Sequence, residues 1–582
     1  MEYHYSSERN VQIVLALLKQ SGIKRVIASP GATNITFVAS MQQDPWFEMY
    51  SCVDERSAAY MACGMAAESG EPVVLSCTGA TSSREYMPGL TEAYYRKLPI
   101  LAITSSQFSS RIGQMVPQVT DRTSPPPDTV VASFCLQNIK DKDDEWDVTI
   151  KANKALLSLK KNGGGPVHIN LITTYSPDFS VTSLPKVKLI RRVTIGDEFP
   201  KLVSDKVAIF CGSHLVWSKA LTEIVDAFCE SNNAIVICDH SSNYKGKFRV
   251  ISSLIGRQEH HYTELYPDLC IHIGEISGAY ENYCFSGKEV WRVSEDGEVR
   301  DLFHKITYVF DMAEIEFFKN YISAEKKNTY IKEMNLVYNY LVNNIPDSIP
   351  FSNLWIAKQT APKLPNNSVL HLGILNSLRV WNLFEIPSSV GEFSNVGGFG
   401  IDGTVSSLIG ASLIHQDKLF FGVFGDLSVF YDINILGNRH VGNNVRLLII
   451  NNGKGAEFRI YNHPGAHFGD DTNKYIAAAG HNGNKSIKLM KHFAEDLGYF
   501  YLSATSKEEY LKNLSLFVEP TISHSIVFEV FTEDVDESCA LKTVSSLVEM
   551  TVEEKAKGVA KKVASTVLGD GGISKLKKLL AK

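Results

Sequence analysis

No Cys-x-x-Cys pair occurs among the ten cysteines of this 582-residue chain, so neither a zinc ribbon nor a dithiol redox centre is encoded. Cys52, Cys211, Cys238 and Cys270 sit in apolar, strand-like runs, where reduced, buried thiols of a cytoplasmic protein are expected. No apolar run approaches the roughly 18–20 residues that cross a bilayer. The polar start, Met1 to Asn10, does not read as a signal peptide. Positive charge is not in excess: the formal net charge is −6, which argues against general nucleic-acid binding. Together these absences leave a cytoplasmic, soluble protein as the expectation. With 44% hydrophobic and 21% charged residues, the composition is that of a globular chain, and its length calls for about three domains.

The most informative segment lies in the last third. An apolar run, Leu419 to Phe424, ends in Gly425-Asp426-Leu427-Ser428. This reads as a buried strand whose final glycine permits a tight turn and sets Asp426 at the carboxyl edge of a sheet, where open α/β sheets place ligands. A helix is expected from about Tyr431. A second run, Leu447 to Ile450, ends in Asn451-Asn452-Gly453-Lys454-Gly455, and Asn452 stands 26 residues after Asp426. That interval fits one strand-helix-strand unit, which returns both side chains to one edge. A carboxylate, an amide oxygen and a main-chain carbonyl near Lys454 suit Mg²⁺, which shares its shell with phosphate oxygens. Taken singly, Gly-Asp and Asn-Asn-Gly are ordinary turn sequences.

The first third carries a different pattern. Arg25 to Gly31 reads as a strand entering a turn at Ser29-Pro30-Gly31, and Met49 to Val53 as a strand that passes through Asp54-Glu55-Arg56 into an Ala-rich helix, Ser57 to Glu68. A glutamate at such a junction is ordinarily a helix N-terminal charge. The runs Pro72 to Thr78, closed by Gly79, and Leu98 to Ile103 add further strands. In the middle, Lys206 to Gly212, Ala234 to Asp239 and Asp268 to Gly274 alternate with helical stretches, which implies a further parallel α/β domain.

The two outer patterns together resemble the thiamine-diphosphate-dependent enzymes, in particular acetolactate synthases and the menaquinone-pathway SEPHCHC synthase. The resemblance implies three doubly wound, parallel-sheet α/β domains: pyrimidine-binding over 1–182, middle over 183–340 and diphosphate-binding over 341–545, with a basic amphipathic tail over 546–582. It implies thiamine diphosphate and Mg²⁺ as cofactors, with Asp426, Asn452 and the backbone of Lys454 as metal ligands. Leu427, Ser428, Gly425 and Gly455 would border the diphosphate, and Pro30, Gly31, Thr78 and Gly79 the pyrimidine side. Glu55 would be the catalytic glutamate that hydrogen-bonds a pyrimidine nitrogen. In Gly400-Ile401-Asp402-Gly403, Ile401 would be the apolar wedge beneath the cofactor. The family site lies between subunits, so a homodimer or homotetramer is expected. FAD is the lesser expectation, since no Gly-x-Gly-x-x-Gly opens a helix in the middle domain and Gly212 and Gly274 read as packing glycines.

The substrate pattern departs from the menaquinone-pathway branch. Ser-Pro-Gly-Ser-Arg-Ser there is Ser29-Pro30-Gly31-Ala32-Thr33-Asn34 here, and an arginine before the glycine-rich run is Val396. Arginine is the preferred partner of carboxylates, so both changes argue against a tricarboxylic substrate pair; Arg379 lies two positions away from a family arginine. Gln118 and Glu457 are candidates for orienting substrate or moving a proton, and Glu457 reads equally well as a solvated helix residue. His463 and His467 read as residues of a His-Pro-Gly surface turn. The histidine pair of pyruvate-type decarboxylases is absent from Gln114 to Thr123. Decarboxylation of a 2-oxo acid with acyl transfer to an acceptor carbonyl is therefore the expected reaction. The alternatives are a decarboxylase releasing an aldehyde, a menaquinone-pathway-type synthase, and a non-catalytic homologue, against which the retained Glu55, Asp426 and Asn452 speak.

From Thr551 the tail has eight lysines against Glu553, Glu554 and Asp570. Its apolar residues recur at helical spacing, which reads as a docking or subunit-contact helix, with an anionic membrane surface or another protein as the alternative partner. For the cofactor, Glu55→Gln is expected to abolish most turnover while leaving Mg²⁺ affinity unchanged, as compared by steady-state assay and metal titration; near wild-type turnover would remove Glu55 from its role.

Overall fold

The structure is a computed structural model that describes residues 4–122, 124–482 and 485–548. The basic tail from residue 549 onwards lies outside the described residues. The chain builds three parallel sheets with helices on their faces, the α/β architecture expected from the alternation of apolar runs. By compactness it divides into two units, Met1–Phe199 with Asp296–Asp311, and Pro200–Glu295 with the chain from Met312 onwards.

In the first unit six parallel strands run in the order Glu48–Ser51, Arg25–Ala28, Val73–Thr78, Ile100–Ser106, Val167–Ile172, Ala132–Leu136. Because successive side chains point to opposite faces, each strand feeds two cores. Val26, Val74, Leu101 and Ile169 join the cluster built by Val11, Val14 and Leu18 of the helix Arg9–Gln20. Ile27, Leu75 and Ala102 join a second cluster with Ala58, Ala59 and Ala62 of the helix Glu55–Ser69. The latter begins at Glu55, two residues earlier than its alanine content indicates, because the Asp54 carboxylate caps it by accepting from Ser57 N at 2.9 Å. The unit also holds the parallel pair Arg191–Thr194 and Ile306–Asp311.

The second unit contains two sheets. In one, Arg249–Ile251, Ala234–Cys238, Val207–Cys211, Leu269–Ile273 and Glu289–Ser294 lie side by side, all parallel. The other has the order Gly391–Ser394, Val369–Leu372, Phe420–Gly425, Val445–Asn451, Ile526–Phe531, Phe500–Ala504. Numbered by chain order within each sheet, this last arrangement repeats that of the first unit. Both sheets reverse direction of growth between their first and third strands, the point at which a crevice opens at the carboxyl edge.

Gly212 and Gly274, at the ends of two strands of the middle sheet, pack against one another's loops: a Cβ at Gly274 would stand 2.9 Å from Ser213 O and 3.1 Å from Gly212 O. Between that sheet and the last one lies a buried charge cluster. Glu392 is fully enclosed, accepts from Arg249 Nη1 and Nη2 at 2.8 and 3.0 Å and from His240 Nδ1 at 2.8 Å, and has Lys245 Nζ at 3.1 Å. Burial alone would raise the Glu392 carboxyl, but Arg249, Lys245 and His240 outweigh it and hold it well below the usual range. A depressed folded value stabilises the fold above pH 4.5, the ordinary value, and the contribution is lost as pH falls through the folded value. Glu392→Gln leaves Lys245 without its ion-pair partner and Arg249 with Glu385 alone, at 3.2 Å, and is expected to cost about 3–5 kcal/mol at pH 7. Urea unfolding at pH 7 and again below pH 4.5 checks this, with the difference between the proteins shrinking in acid.

Candidate active site

The crevice of the last sheet is a pocket of about 190 Å³ at the strand ends, lined by Gly373 to Ser377 after the first strand, Gly425 to Ser428 after the third, and Asn452 with Lys454 to Phe458 after the fourth. Pairing in register, Phe424 with Ile449 and Gly425 with Ile450, brings the two halves of the motif to one edge. Asp426 opens a short helix, Asp426–Tyr431, so the helix expected from Tyr431 in fact ends there. Main-chain N–H groups of Asp426, Leu427 and Asn452 face the carboxylate and favour its charged form.

Asp426 is 3% exposed and has no cationic side chain against it among the described residues. Burial pushes its carboxyl up to about 7, the three N–H groups oppose that, and Glu529 adds to it. A buried carboxylate in this state takes up either a proton or a cation. The neighbouring donors fit a hard cation: Asn452 lines the same pocket, and the Lys454 carbonyl accepts one hydrogen bond, from Ala456 N at 2.9 Å, leaving a second lone pair. The Lys454 ammonium is turned to Asp534, at 3.3 Å. Of the two asparagines, Asn451 is consumed by the fold: its Nδ2 donates to Glu529 Oε1 at 2.7 Å and its Oδ1 accepts from Gly453 N at 3.2 Å.

Ile401 lines the pocket, and Ser428 fixes it there: the Ser428 hydroxyl donates to the Ile401 carbonyl at 2.7 Å and lies 2.6 Å from Thr404 Oγ1. That hydroxyl is therefore engaged with protein. Gly400 and the exposed Asp402 flank Ile401 without lining the pocket. Gly455 borders it.

Glu457 is no solvated helix residue. Its side chain is 13% exposed and both carboxylate oxygens accept from Arg379 Nη1, at 2.8 and 2.7 Å. With the Asn376 amide turned so that nitrogen faces carboxylate, it donates to Glu457 Oε2 at 2.6 Å and accepts from Glu457 N at 3.0 Å. Burial would lower the Arg379 guanidinium, but Glu457 keeps it above its ordinary value. Arg379 Nε also lies 4.0 Å from Glu281, whose other partner is Arg257, so an alternating row of four charges ends in the pocket. Leu375, at φ +63° and ψ −121°, is a strained residue at the entrance to this helix.

In the first unit, Gly31 and Thr78 are pressed together: a Cβ on Gly31 would meet Thr78 Cβ at 2.5 Å, so only glycine fits. Thr33 Oγ1 donates to Ser105 O at 2.7 Å, and Asn34 Nδ2 to Ser29 O at 3.0 Å. Thr33 and Asn34, in place of the last two residues of the Ser-Arg-Ser triplet, are thus internal ties, while Ala32 and Pro30 beside them are exposed. Gly79 is buried, and Glu55 is half-buried at the first turn of its helix. Gln118 is exposed in a loop with φ +64°, and the fold brings no other candidate residue to it. His463 Nδ1 accepts from Gly465 N at 3.0 Å and caps the turn it begins, while His467 is exposed.

A model described as the thiamine pyrophosphate enzyme, N-terminal TPP binding domain, matches residues 9–124. The fold, this match and the crevice define a thiamine-diphosphate-dependent enzyme. Over 561 residues the chain is 30% identical to the 2-succinyl-5-enolpyruvyl-6-hydroxy-3-cyclohexene-1-carboxylate synthase of Bacteroides thetaiotaomicron, covering 92% of this chain and 98% of that protein. It is 29% identical over 564 residues to the synthase of the same name from Bacteroides fragilis, with 92% and 98% covered. With that of Flavobacterium psychrophilum the identity is 26% over 556 residues, with 90% and 95% covered. The chain belongs to the family of these synthases. No helix among the described residues is long and apolar enough to cross a membrane.

Two carboxyls at the site escape sequence reading. Glu537 lines the pocket, accepts from Asn353 N at 2.9 and 3.0 Å and from Thr532 Oγ1 at 2.8 Å. Glu529 sits in the strand Ile526–Phe531, bound by Asn451 and by Tyr501 at 2.7 Å. The one signal for Glu529 is a lone charge inside an apolar strand. Burial pushes Glu537 up from 4.5 to about 7, so its ionisation weakens the fold as pH rises across that window. Glu537→Gln keeps an acceptor and removes the charge. It is expected to be more stable than the parent by about 1–3 kcal/mol at pH 8 and nearly equal at pH 4.5, as read by chemical denaturation at both pH values.

Proposed function

We propose that this enzyme decarboxylates a 2-oxo acid and transfers its acyl unit to an acceptor carbonyl, using thiamine diphosphate with Mg²⁺. The observation that carries the reading is Asp426, buried without a cation at the crevice of the last sheet, with Asn452 and the Lys454 carbonyl beside it. These three would hold the metal, and Gly425 to Ser428 with Gly455 would border the diphosphate. When bound, thiamine diphosphate supplies the electron sink that makes decarboxylation and acyl transfer accessible.

The chain's own residues perform the remaining work. Glu55 would hold a proton toward the pyrimidine nitrogen of the bound cofactor, and Ile401, tied down by Ser428, would border it. Glu457 is held by Arg379 and Asn376, which supports a role in orienting an acceptor or handing on a proton. Strong preorganisation by two partners is what such a role demands. The assembly that completes the site is a homodimer or a larger homo-oligomer.

A second reading, formation of the product for which the relatives are named, is favoured by the full-length match. Against it stand Val396, which is buried, and the internal ties of Thr33 and Asn34, which leave fewer cations for carboxylates. Protein loaded with thiamine diphosphate and Mg²⁺ is to be incubated with pyruvate, 2-oxobutyrate, 2-oxoglutarate and phosphonopyruvate, with and without carbonyl acceptors including isochorismate. Cofactor-dependent CO₂ release is expected from at least one acid, and Asp426→Asn is expected to lower it by roughly 100-fold or more. Aldehyde as the sole product makes the enzyme a decarboxylase; release that needs no cofactor rejects the proposal.

A further inference from the structure

A second cavity, inside the first unit and walled largely by apolar side chains such as Met87, Leu90, Ala102 and Val130, is used by nothing described so far. Its floor is Arg122, 6% exposed. The Arg122 Nη2 donates to Asn170 Oδ1, while Nε and Nη1 have no acceptor among the described residues. A buried guanidinium ordinarily has its donors filled, because each unfilled one carries a desolvation cost. The cavity of about 30 Å³ in front of it is bordered by Ser83, Arg84, Tyr86, Thr104, Ser124 and His168. Arg84 is exposed, and its Nη2 donates to Asp121 O at 2.9 Å.

Two guanidiniums therefore share one cavity. Burial is the main influence lowering the Arg122 guanidinium and Arg84 lowers it further, while no carboxylate contributes. His168 adds no third charge, since burial pushes its imidazole down to about 3 and its Nε2 lies 2.8 Å from Thr104 Oγ1. Gly79 makes the arrangement fit: a Cβ there would stand 3.2 Å from Arg122 Nη1 and 3.1 Å from Ser105 O. The turn that follows Val73–Thr78, expected to border the pyrimidine, is thus the wall against which Arg122 packs.

We infer that Arg122, with Arg84 at the mouth, is the binding site for the carboxylate of the 2-oxo acid donor. A volume near 30 Å³ holds about two water oxygens, the size of a carboxylate head, and leaves the rest of the acid outside. A tetrahedral phosphate is larger than that head. The site also supplies, from another part of the chain, the cation missing where Thr33 and Asn34 stand. This assignment rests on the reading above that the donor is a 2-oxo acid.

The test is calorimetric titration of the full-length, cofactor-free protein with pyruvate, with 2-oxoglutarate and with inorganic phosphate. Wild type, Arg122→Gln, Arg122→Lys and Arg84→Gln are compared after their folding is checked by circular dichroism. At least one oxo acid is expected to bind wild type, with affinity falling roughly tenfold or more in Arg122→Gln, partly recovering in Arg122→Lys and falling a few-fold in Arg84→Gln. If the glutamine variant does not fold, the other two carry the comparison. Binding of phosphate alone, binding of neither acid, or equal affinity in all variants overturns the assignment and leaves ordered water as the occupant. In the loaded enzyme, KM for the acid is expected to rise tenfold. CO₂ release with KM unchanged by Arg122 rejects the pocket and keeps the reaction. Arg122-dependent binding without CO₂ release from any acid keeps the pocket and rejects the reaction.

Discussion

Parallel pairing is the constraint on which the site depends. In a parallel ladder the strand ends all face one way, so whatever follows Phe420–Gly425 must meet whatever follows Val445–Asn451 once Gly425 is set opposite Ile450. The next strand fixes the rest: Asn451 pairs with Phe531, which aligns Glu529 to receive the Asn451 amide. Of two adjacent asparagines, one is thereby pinned into the sheet and the other is delivered to the pocket. A slip of one residue would exchange their roles, since side chains alternate between faces.

The two outer sheets share a strand order although their sequences carry different chemistry at the crevice. One presents glycines, a buried arginine and a half-buried glutamate; the other presents a buried aspartate, an amide and main-chain oxygens. The same topology thus offers two edges of different chemistry, and the difference lies in the residues placed after the strands.

What could be read from sequence was local. Gly425-Asp426-Leu427-Ser428 and Asn451-Asn452 announce themselves because motif and strand are contiguous, and the three-sheet architecture follows from apolar runs spaced by helical stretches. The helix begins at Asp426, five residues before the expected start at Tyr431, which composition does not reveal. Glu457 reads from sequence as solvated or functional alike, and Arg379, 78 residues earlier, removes the solvated reading. Glu537 and Arg122 gave no signal, since the meaning of each lies in partners or empty space brought by distant chain. The first-unit candidates divide similarly: Gly31 and Gly79 are required by close contacts, whereas Gln118 meets no other candidate residue.

The helix Asp534–Ser545 carries Glu537 into the pocket on its buried side and Cys539 on its exposed side. Of the ten cysteines six are buried and Cys539 alone is classed as exposed, and burial pushes Cys63 up to about 11 and Cys77 and Cys238 up to about 12, so these thiols are poor nucleophiles. A maleimide dye would therefore favour one address, half a helical turn from the carboxyl that faces the ligand. The protein comes with a built-in attachment point from which the filling of its crevice can be watched optically, without altering any residue.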